Sequence, residues 1–206
     1  NSSDFWDFFW DFTRIDGIKG SKKIKRSKVF YKNLFLPGSK LNFANNLLQK
    51  NDKKKAATFI SENGFREERS WQKLNQNSNK LAQFLKDKKI NQKDRVAAYM
   101  PNTIETVEAF ISTAAIGAIW SSCSPDFGVK GVIERFSQIN PKILFITDQY
   151  YYNGKQINII ERLPEILEAI PSIKNVIVTN YPGKSSLKFK KKIKKIKLTS
   201  WSELMK

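Results

Sequence analysis

The run Trp120-Ser121-Ser122-Cys123-Ser124-Pro125-Asp126-Phe127-Gly128 concentrates side chains with chemistry to offer: three hydroxyls, a thiol and a carboxylate. A strand end that passes through small hydroxyl residues into a helix N-terminus can hold an anion or a ligand. The same residues also read as a helix cap over buried small side chains. Neither Ser nor Cys has an imidazole to activate it, because the sequence contains no histidine. That excludes Ser-His and Cys-His pairs, an imidazole general base and any His-containing zinc site. Cys123 is the single cysteine, so intramolecular disulfides and Cys-cluster metal sites are excluded as well. It reads as an inert core thiol in a reducing, cytoplasmic setting. No residue is assigned a catalytic or metal-binding role, and any chemistry done by this chain alone falls to carboxylates, lysines or hydroxyls.

The nine glycines form neither G-x-G-x-x-G nor G-x-x-x-x-G-K-[ST], so no phosphate cradle is present. The net charge is +18, placed mostly in two runs without acids, residues 19–32 with seven bases and residues 184–197 with eight. Elsewhere 22 bases face 19 acids. Residues 184–197 can attract phosphates by counterion release. They also read as a solvated lysine-rich loop. Of the 37 bases, 30 are Lys and seven Arg, whereas specific phosphate and base recognition favours Arg. Phe189 alone offers a stacking surface in that run. Nucleic acid is therefore not an expected partner, although a noncatalytic module engaging RNA or another polyanion remains the alternative reading.

These groups need elements to position them. Phe5, Phe8, Phe9 and Phe12 fall on one face of a helix over Asn1 to Phe12, with acids on its flank. So aromatic a face must dock, on its own domain or on a partner or membrane surface. Residues 13–33 read as a polar, basic connector, and Asn42 to Gln49 as a short helix after the turn at Pro37-Gly38. Ala56 to Glu62 and Arg66 to Ser70 read as strands around Asn63-Gly64, followed by a helix from Trp71 to about Lys88. Arg95 to Met100, Ile119 to Cys123, Lys142 to Thr147 and Asn175 to Thr179 read as strands. Between them, helices carry Ile104, Val107, Ile111, Ala114 and Ala118, then Val129, Val132, Ile133 and Phe136, then residues 157–170. Asn102 with Glu105 resembles a capping box, and Asp126 is placed to cap the second helix. Strands alternating with helices imply an α/β fold with a parallel sheet and right-handed crossovers. The most apolar stretch, Ala109 to Trp120, has 12 residues, short of the roughly 20 that span a bilayer, so no membrane segment is expected.

Residues 94–103, Asp-Arg-Val-Ala-Ala-Tyr-Met-Pro-Asn-Thr, and 117–128, Gly-Ala-Ile-Trp through Phe127-Gly128, closely resemble the acetoacetyl-CoA synthetases of the adenylate-forming superfamily. Leu36-Pro37-Gly38-Ser39-Lys40-Leu41-Asn42-Phe43-Ala44-Asn45-Asn46-Leu47-Leu48 and the aromatic start fit the same family. The likeness extends from about Phe5 to Pro182, and Trp120 to Gly128 is its most specific part. The resemblance implies that residues 1–48 are an acetyl-CoA-synthetase-like N-terminal extension and residues 49–206 the N-terminal portion of an AMP-binding domain, each truncated. It implies a ligase that activates acetoacetate with ATP, assisted by Mg2+, and transfers the acyl group to CoA. The family's Ser/Thr/Gly-rich phosphate loop, its later acidic motif and its C-terminal domain with a catalytic Lys are not in residues 1–206. The resemblance therefore implies a chain inactive by itself, partnered by a missing downstream part. In the related acetyl-CoA synthetases a short basic, Gly-containing turn contacts the nucleotide end of CoA. The matching positions are Tyr152, Asn153, Gly154 and Lys155, with Lys155 facing a phosphate and Gly154 allowing close backbone approach. An ordinary surface turn is the other reading of these four residues.

Overall fold

The computed structural model describes residues 1–184, 188–189, 192–193 and 195–206. It has two compact units, Asn1–Gln49 and Lys50–Lys206.

In the first unit, α1 (Ser2–Phe12) opens with a capping box: Asn1 Oδ1 accepts from Asp4 N at 3.1 Å, and the Asp4 carboxylate reaches back to the terminal amine. β1 (Gly17–Ile18) pairs antiparallel with β2 (Lys40–Leu41), and Asn42 caps α2 (Phe43–Leu47) by accepting from Ala44 N and Asn45 N. Within this unit the phenylalanine face stays largely outward. Phe8 is 63% and Phe12 72% exposed, and the rings stack on one another, Phe5 on Phe9 and Phe8 on Phe12. The buried side chain is Trp10, which shares a face with the acids. Lys19 binds Asp7 and Asp11 at 2.7 Å each, and Lys22 binds Asp4 at 2.8 Å. These pairs turn the acidic flank toward the following chain and leave the phenylalanines outward. The supposed connector is thus folded back, with Lys25 and Leu34 exchanging backbone hydrogen bonds.

The second unit begins with an antiparallel hairpin, β3 (Lys55–Ile60) and β4 (Arg66–Ser70). Ser70 Oγ accepts from Lys73 N and so caps α3 (Trp71–Asp87). Then follow β5 (Arg95–Tyr99), α4 (Ile104–Ala115), β6 (Ile119–Cys123), α5 (Val129–Ser137), β7 (Ile143–Thr147), the hairpin β8 (Gln149–Tyr152) and β9 (Lys155–Asn158), α6 (Leu163–Ala169), β10 (Asn175–Thr179), β11 (Lys192–Ile193), β12 (Ile196–Ser200) and α7 (Trp201–Leu204). One sheet has the order β11-β12-β10-β7-β5-β6, parallel from β12 to β6 with β11 antiparallel at the edge. The α/β reading is therefore correct.

Because side chains alternate across a strand, the sheet builds two cores. Ala97, Tyr99, Leu144, Ile146, Val176 and Val178 meet Val132 and Phe136 of α5 and Leu163 and Ile166 of α6. Val96, Ala98, Ile143, Phe145 and Ile177 meet Leu81 and Leu85 of α3, Ala109 of α4 and Trp201 of α7. Each fully buried Ile, Leu or Phe contributes about 1.5–3 kcal/mol.

Several local expectations fail. Thr103, not Asn102, is the N-cap of α4, and Glu105 is drawn instead toward Arg69. Gly128, not Asp126, precedes α5, because Asp126 is engaged by Tyr150. Residues 157–170 are not one helix. The Asp148 carbonyl accepts from both Ile159 N and Ile160 N, which closes the β8–β9 hairpin, and a 3-10 turn leads to α6, where Pro164 sits in the first turn. On α4, Val107 is 39% exposed while Glu108 is wholly buried.

Glu108 Oε1 accepts from Asn77 Nδ2 of α3 at 2.8 Å and lies 2.9 Å from Arg69 Nε of β4. Arg69 Nη2 also lies 3.0 Å from Glu67 and 3.5 Å from Glu105. One guanidinium faces three carboxylates, and Oε2 of both Glu105 and Glu108 is buried without a hydrogen-bond partner. Burial pushes Glu108 up to about 7, reinforced by Glu105 and Glu67 and opposed by Arg69 and Asn77. Glu105 is raised as well, again chiefly by burial. The fold thus keeps a proton on Glu108 that the unfolded chain releases around 4.5, and the stability tied to it is lost as pH rises through about 7. Urea unfolding should lose about 3 kcal/mol between about pH 5 and about pH 8. Glu108→Gln should flatten that slope, and a wild-type stability independent of pH across the window would contradict the assignment.

Candidate functional site

Parallel strands bring their C-terminal ends to one edge of the sheet, the usual place for ligands in open α/β folds. Here that edge carries the β8–β9 hairpin after β7 and the Ser124–Gly128 segment after β6. All four residues singled out from the sequence lie at the hairpin tip: Tyr152 pairs with Lys155 across the two-residue turn Asn153-Gly154. Both turn residues have positive φ, 49° and 73°, the combination that Asn-Gly supplies and that matches strand twist. Lys155 is exposed, Tyr152 is 54% exposed, and the Tyr150 and Tyr152 rings stack with centroids 5.8 Å apart. Lys184 Nζ sits 4.2 Å from the centre of the Tyr151 ring. A backbone open to close approach, an exposed ring and a cation therefore share one tip. Glu62 is the opposing charge there, its carboxylate 3.4 Å from Gly154 N.

The base of the hairpin is held by Asp148, whose carboxylate accepts from Tyr181 N at 2.9 Å and Asn180 Nδ2 at 3.0 Å. In the Ser124–Gly128 segment Ser124 is exposed, and its Oγ donates to Asp126 Oδ2 at 2.8 Å. Asp126 in turn accepts from the Tyr150 hydroxyl, tying the loop to the hairpin. Burial, with that hydrogen bond to Asp126, holds the Tyr150 phenol far above its ordinary range. Arg162 Nη1 donates to the Tyr99 hydroxyl and lies 3.2 Å from the carbonyls of Pro125 and Phe127, while Tyr99 Oη donates to the same pair of carbonyls. The guanidinium of Arg135 lies 4.4 Å from the centre of the Phe127 ring. Cys123 is buried and its thiol pushed up by that burial, in keeping with an inert core position.

The sequence gives no sign of Tyr99, Asp126, Asp148 or Arg162 as organisers of this edge, because their partners lie between 24 and 63 residues away or in irregular backbone. The lysine-rich run falls partly outside the described residues, with Lys190, Lys191 and Lys194 among those not described. In the other basic run, Lys19 and Lys22 are committed to the acids of α1. Among the described residues no group of three His, Cys, Asp or Glu is placed to hold a metal ion, and no helix is long and apolar enough to cross a membrane. Replacing Tyr99 by Phe removes the hydroxyl between Arg162 and the loop, and should cost about 1–2 kcal/mol in urea unfolding. A change near zero would mean that Arg162 alone holds the carbonyls.

A family profile described as AMP-binding enzyme matches residues 46–202. Among curated proteins, acetoacetyl-CoA synthetase of Gallus gallus is 38% identical over 188 residues, covering 87% of this chain and 27% of the relative. Acetoacetyl-coenzyme A synthetase of Rhizobium meliloti is 36% identical over 182 residues, covering 88% and 28%. Among solved structures, acetoacetyl-CoA synthetase from Streptomyces lividans superposes with a TM-score of 0.85 at 26% identity, over 98% of this chain and 30% of that one. The chain thus spans little more than a quarter of the length of these curated relatives.

Proposed function

Since the chain belongs to the AMP-binding enzyme family, we propose that it is one part of an acid–thiol ligase whose whole form makes acetoacetyl-CoA. The observation that carries this reading is the 36–38% identity to acetoacetyl-CoA synthetases over nearly all of the chain. The acetoacetate carboxylate attacks the α-phosphorus of ATP and releases pyrophosphate. The CoA sulfur then attacks the acyl carbon, and AMP leaves. Both steps need phosphate charge neutralised and the adenylate shielded from water. The residues of this chain supply no phosphate loop and, among those described, no cluster of metal ligands, so Mg2+ and the ATP phosphates are held elsewhere in the enzyme. Cytoplasm is the compartment that fits, since the lone thiol of Cys123 stays reduced there.

What this chain contributes toward CoA is the hairpin tip. Lys155 meets a phosphate of the nucleotide end, Gly154 admits it close to the backbone, and the exposed ring of Tyr152 with Asn153 frames it. Glu62 beside Gly154 weakens the attraction. A polyanion-binding module has no support among these matches.

The whole protein that bears this chain should exchange labelled pyrophosphate into ATP when given acetoacetate. Exchange with another acid but not acetoacetate would overturn the choice of substrate, and no exchange with any acid would overturn the class. Lys155→Ala should raise KM for CoA roughly threefold to tenfold, with less effect on kcat. An unchanged KM would remove the hairpin tip from the CoA site.

A further inference from the structure

At the other end of the sheet, where β5, β7 and β10 begin, a cavity of about 420 Å3 is lined by Lys88, Lys89, Arg95, Lys142 and Lys174, together with Ser172. No carboxylate lines it, and Ile90 is its one apolar residue. Part of this positive charge answers the fold itself. Helices of a parallel α/β sheet run opposite to the strands, so α3, α5 and α6 direct their C-terminal ends here. Arg95 Nε donates to Ile139 O at 2.7 Å and Nη2 to Asn140 O at 3.2 Å, and Lys174 Nζ donates to Pro171 O at 2.7 Å. Lys142 Nζ is paired with Asp94 at 2.8 Å.

These partners do not balance the site. Three helix ends at about −0.5 each and one aspartate offset roughly half of five positive charges, leaving an excess of about +2.5. Ser172 Oγ is buried with no hydrogen-bond partner, a donor already withdrawn from water. We propose that this cavity binds an oligophosphate, an anion of two or more linked phosphoryl groups such as pyrophosphate or tripolyphosphate. Such a ligand matches the charge excess, and the concave, nearly wholly polar lining suits a small anion rather than a long polymer. The strands place the site about 16 Å or more from the hairpin tip, so it is separate from the proposed CoA contact.

The test is calorimetric titration of tripolyphosphate, pyrophosphate, orthophosphate and sulfate into the 206-residue chain at constant ionic strength. Saturable binding is expected, tightest for tripolyphosphate. The double variant Lys89→Glu/Lys174→Glu should weaken it roughly tenfold or more, whereas Lys53→Glu/Lys130→Glu, an equal charge change elsewhere on the surface, should alter it less than about threefold. Lys89→Gln/Lys174→Gln should weaken it by a smaller factor and guards against loss of fold in the first pair. Tripolyphosphate binding no tighter than sulfate, or weakened equally by the control pair, would overturn the proposal. None of these readings depends on ligase activity, so their failure leaves the proposed reaction untouched.

Discussion

The middle of this sheet is closed to water on both faces, and most of the molecule follows from that closure. Residues 96–99 of β5, 143–146 of β7 and 176–178 of β10 have no exposed surface. A buried backbone amide or carbonyl must be paired, so each of these strands needs a parallel neighbour on both sides and a helix layer above and below. The crossover helices follow from this demand, and so does the gathering of loops at one edge and of helix ends at the other. The hairpin tip and the basic cavity are opposite consequences of the same arrangement.

The polar groups that the fold does bury are arranged economically at one edge and expensively near α4. At the loop edge, Arg162 and the Tyr99 hydroxyl together satisfy the carbonyls of irregular backbone. Near α4, a lone Arg69 must serve three carboxylates, and desolvation outweighs its attraction for Glu108. The difference lies in the partner: a carbonyl brings no net charge into the interior, whereas a carboxylate does.

The regular parts of the fold were legible because periodicity encodes them. Ile143 to Thr147 and Asn175 to Thr179 are runs of β-formers, and the Trp71 helix has helical spacing of Leu74, Leu81 and Leu85. Legibility ended where a distant partner decided the outcome. On α1, Lys19 and Lys22 select the acidic flank from a distance in sequence, and the hairpin β8–β9 was half absorbed into a helix because Asp148 stops the chain there. Asn153-Gly154 was marked as a turn, yet the pinning of its base by Asp148 and Tyr150 leaves no trace in local sequence. Nothing near Glu108 in sequence announces Arg69 and Asn77, the groups it meets.

The strand order also sets a timetable for a chain made from its N-terminus. β5 comes to lie between β6, which is synthesised next, and β7, which follows it. Its backbone therefore stays open on one side until Thr147 has been made, and β7 then waits for β10. Growth runs outward from β5 to one flank and then repeatedly to the other, each step closing a loop through a helix. During that interval the most apolar strands of the molecule are its unpaired edges, so nascent chains are most exposed to misassociation before residue 179 emerges.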